Sequence, residues 1–104
     1  MLFLVRIIPI YISLMKLTKQ GITNIKDAPK RVENATQIFE SMGGKIHAFY
    51  FTMGEYDKVV IAEAPNDETV MTMLAALGSY GNVRTTTLKA FTKDEFAKIL
   101  SSLP

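Results

Sequence analysis

Apolar residues recur along this chain at two spacings, and the spacing changes where glycine and proline fall. Ile10 to Thr18 (IYISLMKLT) is β-branched and apolar with partial alternation, which predicts a strand. Thr18 to Ala28, holding Gly21, Ile22 and Ile25, predicts a short helical turn. Asp27 then caps a longer helix with Pro29 in its first turn, where a missing N–H does no harm. Val32, Ala35, Phe39 and Met42 form one stripe at helical period, and Gly43-Gly44 ends the helix. Lys45 to Thr52 and Asp57 to Ala64 read as two strands joined by the turn Met53-Gly54-Glu55-Tyr56, an antiparallel hairpin. Asn66, followed by Asp67 and Glu68, caps a second long helix with the apolar face Val70, Met73, Leu74 and Leu77. Gly78 to Asn82 closes it, and Val83 to Phe91 is a fourth strand. Thr92 and Glu95 make a capping box for a last helix with the stripe Phe96, Ile99, Leu100 and Leu103, Phe91 and Phe96 serving as its staple.

The order is β-α-β-β-α-β with an added C-terminal helix, the ferredoxin-like α+β pattern. Right-handed crossovers place both long helices on one face of a four-stranded antiparallel sheet and leave the other face bare. Small Ala62 and Ala64 suit close helix packing, so the set Val60, Ala62 and Ala64 belongs under the helices. The bare face is then expected to carry Tyr11, Ser13, Met15, Val59, Ile61, Glu63, Thr85 and Thr87, a mixed apolar and hydrogen-bonding surface. For the second strand the alternation allows either Ile46, Ala48 and Tyr50 or His47, Phe49 and Phe51 on a given face. Such a bare sheet fits either a homodimer with two sheets face to face around a chamber, or an open platform for a ligand or for RNA. The third strand, DKVVIAEA, lacks the aromatic residues that an RNA platform stacks bases on, so the dimer is preferred.

Composition narrows the chemistry. A chain of 104 residues holds one domain, and 48% hydrophobic with 21% charged residues describes a folded one. A net charge of +2 predicts neither nucleic acid nor an anionic membrane as a partner. With no cysteine and a single histidine, His47, disulfides, thiolate metal sites, a cysteine nucleophile and histidine-rich metal clusters are excluded. No metal or cofactor is expected. The apolar run from Met1 to Met15 has no basic leader region or small-residue cleavage site, and it is shorter than the roughly 20 residues of a membrane span. Residues 1–9 read as an apolar extension, residues 10–104 as a single domain, and a cytoplasmic location is expected.

Several blocks share a further pattern: Tyr11-Ile12-Ser13-Leu14, Gly21, Ile25 to Arg31, Ala48-Phe49-Tyr50, Met53 to Asp57, and Gly81 to Leu88. Together they resemble the GYD domain family, whose Gly-Tyr-Asp signature corresponds to Gly54, Tyr56 and Asp57. The resemblance covers roughly residues 10 to 96 and implies a dimeric α+β barrel. It implies no particular activity, because the wider structural relatives range from cofactor-free monooxygenases and isomerases to haem-dependent enzymes and ligand sensors.

The candidate site residues each have a plain structural role and a sharper one. Gly54 to Asp57 is ordinary turn chemistry, yet Tyr56 beside Asp57 at a strand mouth also makes an acid–base pair. Gly78 to Asn82 follows a helix, where the dipole repels phosphate, and reads as a helix stop. Arg84 pairs with Asp57 or Glu63, or grips a ligand carboxylate. His47, alone in a strand, is a surface residue rather than a haem ligand. The leading expectation is a homodimeric small-molecule-binding module with its pocket lined by Tyr11, Ser13, Tyr50, Tyr56, Asp57, Arg84, Thr85 and Thr87. The alternative is a cofactor-free monooxygenase-like or isomerase-like enzyme using Tyr50, Tyr56, Asp57 and Arg84. That alternative requires two of the four groups to converge within hydrogen-bond reach.

Overall fold

A computed structural model describes residues 8–104. The apolar extension expected over residues 1–9 lies outside the described residues for its first seven positions. The strands β1 (Ile10–Leu17), β2 (Lys45–Phe51), β3 (Lys58–Glu63) and β4 (Val83–Ala90) form one antiparallel sheet in the order β2-β3-β1-β4. Between them run α1 (Lys19–Thr23), a 3-10 turn (Ile25–Asp27), α2 (Ala28–Ser41) and α3 (Asp67–Tyr80), and α4 (Lys93–Leu100) follows. This is the ferredoxin-like α+β fold expected from the order of elements.

Local chemistry sets the helix ends. The Thr18 hydroxyl accepts the Gly21 N–H at 3.1 Å, and the Asn66 carboxamide accepts the Thr69 N–H at 2.9 Å. Thr92 and Glu95 exchange both capping-box bonds, at 3.0 and 2.9 Å. Asp27 differs from expectation. It closes the preceding 3-10 turn with φ −89° and ψ −2°, whereas a capping side chain needs extended backbone, so it makes no cap bond. Gly81 ends α3 with φ +80°, a left-handed conformation that glycine takes without strain.

Strand pairing corrects the face assignment. Tyr11 lies opposite Ala62, Ser13 opposite Val60 and Met15 opposite Lys58, and residues directly opposed share a face. On the other flank Ser13 lies opposite Thr87 and Met15 opposite Thr85. Tyr11, Ser13, Met15, Thr85 and Thr87 therefore sit under the helices with Val60 and Ala62, not on the bare face. The expected phase of β3 is right and those of β1 and β4 are inverted. In β2 neither simple alternation holds. A register irregularity between Ile46 and Ala48 sets Ile46 and Phe49 opposite Ala62 and Val60, and Ala48 and Tyr50 opposite Ile61 and Val59.

The core lies between this face and the two long helices: Tyr11, Met15, Val60, Ala62 and Ala64 meet Phe39 of α2 and Val70 and Met73 of α3. The opposite face carries Ile10, Ile12, Leu14, Val59, Ile61, Thr86 and Leu88, none of them buried. Helix α4 buries none of its residues. Phe96, Ile99, Leu100 and Leu103 are all exposed, as is Phe91.

Helix α1 latches onto the α3–β4 turn. The Thr18 N–H donates to the Asn82 carbonyl at 3.0 Å, and the Gln20 carboxamide donates to the Tyr80 carbonyl at 2.9 Å. Gly21 makes the approach possible, because a Cβ there would stand 2.1 Å from the Asn82 carbonyl oxygen. Backbone cannot yield as a flexible side chain does, so Gly21→Ala is expected to cost roughly 1–3 kcal/mol, read as a lower urea midpoint with an unchanged m-value.

Candidate functional site

The sheet presents two surfaces with different chemistry. Beneath the helices lies a cavity of about 390 Å³, walled largely by apolar side chains that include Phe39, Phe49, Val70, Leu74 and Leu77. Its polar lining comes from Tyr11, Ser13, Arg31 and Lys58, with Asn34 and Thr36 in the middle of α2 and Tyr80 and Asn82 at the end of α3. The sequence-predicted residues Tyr11 and Ser13 line it, and both are already hydrogen-bonded. The Tyr11 hydroxyl donates to the Asp67 carboxylate at the start of α3, and the Ser13 hydroxyl bonds the Thr87 hydroxyl. Lys89 also donates to Asp67, at 3.0 and 3.2 Å. Burial, reinforced by the neighbouring carboxylate, pushes the Tyr11 phenol up to about 12. The bonds from Tyr11 and Lys89 hold the Asp67 carboxyl below its ordinary 3.8.

Arg31 and Lys58 are the cavity residues that alternation did not single out. Lys58 is only 5% exposed. Burial is the main cause holding its ammonium below the usual lysine range, with the nearby Arg31 guanidinium second, against an opposing pull from Asp57. One guanidinium nitrogen of Arg31 donates to the Asn24 carbonyl at 2.7 Å; the other terminal nitrogen is buried without a partner. A signal for Lys58 existed in the sequence: it shares the period-two phase of Val60, Ala62 and Ala64, the set assigned under the helices.

The remaining predicted residues scatter. Tyr50 stands on the open face of edge strand β2, 59% exposed. The Asp57 carboxylate accepts the Leu17 N–H at 2.8 Å and its own N–H donates to the Met15 carbonyl at 2.8 Å, so Asp57 fastens the hairpin to the end of β1. Gly54 turns the hairpin at φ +103°. Tyr56 lies under the Lys16 ammonium, 5.2 Å from the ring centre, in a shallow depression with Arg84, Thr85 and Thr86. Arg84 pairs with neither Asp57 nor Glu63, contrary to expectation. Glu63 is taken by His47 at 2.7 Å and Asp57 by backbone. No hydrogen bond joins any two of Tyr50, Tyr56, Asp57 and Arg84, so the enzyme reading lacks the convergent pair it needs. Among the described residues no cluster of histidine, cysteine or acidic side chains could hold a metal, and no helix is long and apolar enough to cross a membrane.

The architecture defines a ferredoxin-like α+β domain with one covered and one uncovered sheet face. The solved structure of a feast or famine regulatory protein from M. tuberculosis, complexed with L-methionine, has this fold, with TM-score 0.61 and 16% identity over 82% of this chain. MtbAldR superposes similarly, with TM-score 0.62 and 14% identity over 82% of this chain. The chain spans about half the length of these two proteins, 51% and 52%. The GYD domain model matches residues 11–100, and the chain belongs to the GYD domain family. A Thermus thermophilus relative, the "Glutamine synthetase and cystathionine beta-lyase binding protein", is 35% identical over 83 residues, covering 79% of this chain and 87% of its own.

The Tyr11–Asp67 bond gives a pH signature. Tyr11 has a folded value raised from 10.0 to about 12, so its stabilisation is complete below pH 10 and is lost as pH rises through about 12. Asp67 has a lowered folded value, so its contribution is present above 3.8 and is lost as pH falls through that lowered value. Wild type is expected to melt above Tyr11→Phe by the largest margin at neutral pH, the margin shrinking as pH falls below 3.8 and as it rises from 10 toward about 12 in thermal melts of the two proteins.

Proposed function

We propose that this chain is a homodimeric binding module, paired through its uncovered sheet face, that docks onto a metabolic enzyme. The observation that carries the dimer is the apolar strip Ile12, Leu14, Val59 and Ile61 at the centre of the sheet, where a monomer has no helix to bury it. Water against these four side chains costs free energy that a second apolar sheet removes. Strand spacing and rise give this face roughly 450 Å² in projection. Side-chain relief raises it toward the ~800 Å² per partner of a stable interface.

Charge favours a second copy over an unrelated partner. Lys16 and Arg84 oppose each other at one end of the face, and Glu63 lies opposite Ile10 at the other. Within the chain Lys16 pairs with Glu55, and Glu63 with His47 through one carboxylate oxygen, while among the described residues Arg84 has no acidic partner. A two-fold axis running across the strands would bring Arg84 of each copy toward the Glu63 end of the other. The name of the Thermus relative supports enzyme docking, with glutamine synthetase and cystathionine β-lyase as the first targets to try.

Light scattering on the eluting protein is expected to give twice the chain mass. Leu14→Asp and Ile61→Asp, placed where no core is disturbed, are expected to give folded monomers. A wild-type monomer at micromolar concentration contradicts the dimer. Absence of binding to both host enzymes at about 100 µM in biolayer interferometry contradicts the docking.

A further inference from the structure

The cavity between the helices and the sheet holds two cations and no anion. The Lys58 side chain is almost wholly buried against the ring of Phe51, its nitrogen 5.7 Å from the ring centre. Among the described residues it has no acidic partner. Arg31, on α2 across the cavity lining, keeps one terminal nitrogen buried and unbonded. The nearest carboxylate, Asp57, is spent on the Leu17 N–H. Two like charges facing one largely apolar space, with no carboxylate between them, leave a place for an anion.

The other polar groups on the sheet side of the cavity make no demand on a ligand. Tyr11 is bonded to Asp67, and Ser13 to Thr87. Apart from Asn34, Thr36, Tyr80 and Asn82, the rest of the wall is aliphatic side chains, methionine and phenylalanine. We propose that this cavity binds an apolar monocarboxylate, its carboxylate between Lys58 and Arg31 and its hydrocarbon body against Phe39, Phe49, Leu74 and Leu77. A volume of about 390 Å³ accommodates roughly 13 non-hydrogen atoms at about 30 Å³ each. A medium-chain alkyl acid and an aryl-alkanoic acid both satisfy this description. A free amino acid does not, because its ammonium would enter beside two cations. Inorganic phosphate does not either, since apolar walls repay none of its dehydration. The site lies on the opposite side of the sheet from the proposed dimer face and stands independently of it.

Isothermal titration calorimetry with decanoate and with 4-phenylbutanoate, about twelve non-hydrogen atoms each, tests the site, the preferred acid separating alkyl from aryl ligands. At least one acid is expected to bind, and decanamide, of the same shape without the charge, to bind about tenfold or more weakly. Lys58→Met is expected to lower affinity for the acid by about tenfold or more. The same variant is expected to melt no lower than wild type in the absence of ligand, since it removes a cation that burial and the neighbouring Arg31 both disfavour. Arg31→Gln supplies the same binding readout should Lys58→Met fail to fold. The proposal is overturned if neither acid binds at about 1 mM, if decanamide matches decanoate, or if the folded variant binds the acid like wild type. It is equally overturned if affinity falls as protein concentration rises, because a second copy would then occupy the cavity.

Discussion

Everything in this molecule depends on the register of β1 against its two neighbours. As a central strand it is pinned on one side by β3 and on the other by β4. A slip of one residue would exchange its faces, carrying Tyr11, Ser13 and Met15 out from under the helices and Ile12 and Leu14 in. Three contacts hold the observed register. The Tyr11 hydroxyl reaches Asp67 on α3, the Ser13 hydroxyl meets Thr87, and Asp57 clasps both the Leu17 N–H and the Met15 carbonyl. The Gly-Tyr-Asp signature acts here as a register device: glycine turns the hairpin, and the aspartate locks its exit onto β1.

Two surfaces follow from that register. The covered face acquires Lys58 from the start of β3, and with Arg31 it makes a cationic spot in an otherwise apolar space. The uncovered face acquires the aliphatic strip of β1 and β3, flanked by Lys16 and Arg84 at one end and Glu63 at the other. One is a concave, largely apolar space with a cationic spot, the other an aliphatic strip with opposite charges at its ends. The two surfaces draw on different side chains of the same strands.

Much of the fold was legible because it rests on local chemistry. The caps at Asn66 and Thr92, the helix stop at Gly81 and the stripes of α2 and α3 all depend on residues within one or two turns. The faces of β1 were not legible, because both alternating sets are partly apolar and only pairing with β3 decides between them. Small Ala62 and Ala64 made β3 readable from composition alone. The irregularity at His47 defeats any alternation rule in β2, since one extra residue reverses the phase midway. The faces of the candidate site residues on β1 and β4 were illegible for the same reason. Of the residues expected around a chamber on the bare face, Tyr50 and Arg84 lie there, Tyr11, Ser13, Thr85 and Thr87 lie on the covered face, and Tyr56 and Asp57 lie at the hairpin turn.

The central claim is that the two faces of β1 meet different things: the face of Leu14 a second copy, the face of Ser13 this chain's own helices. The chain has no cysteine, so single-cysteine variants report position without background. Packed sheets lie about 10 Å apart, which suits a bismaleimide of about that span. The account predicts that Leu14→Cys is cross-linked to twice the chain mass while Ser13→Cys, treated alike, stays at the mass of one chain. Leu14→Cys remaining at single-chain mass, or Ser13→Cys cross-linking as efficiently, would contradict it.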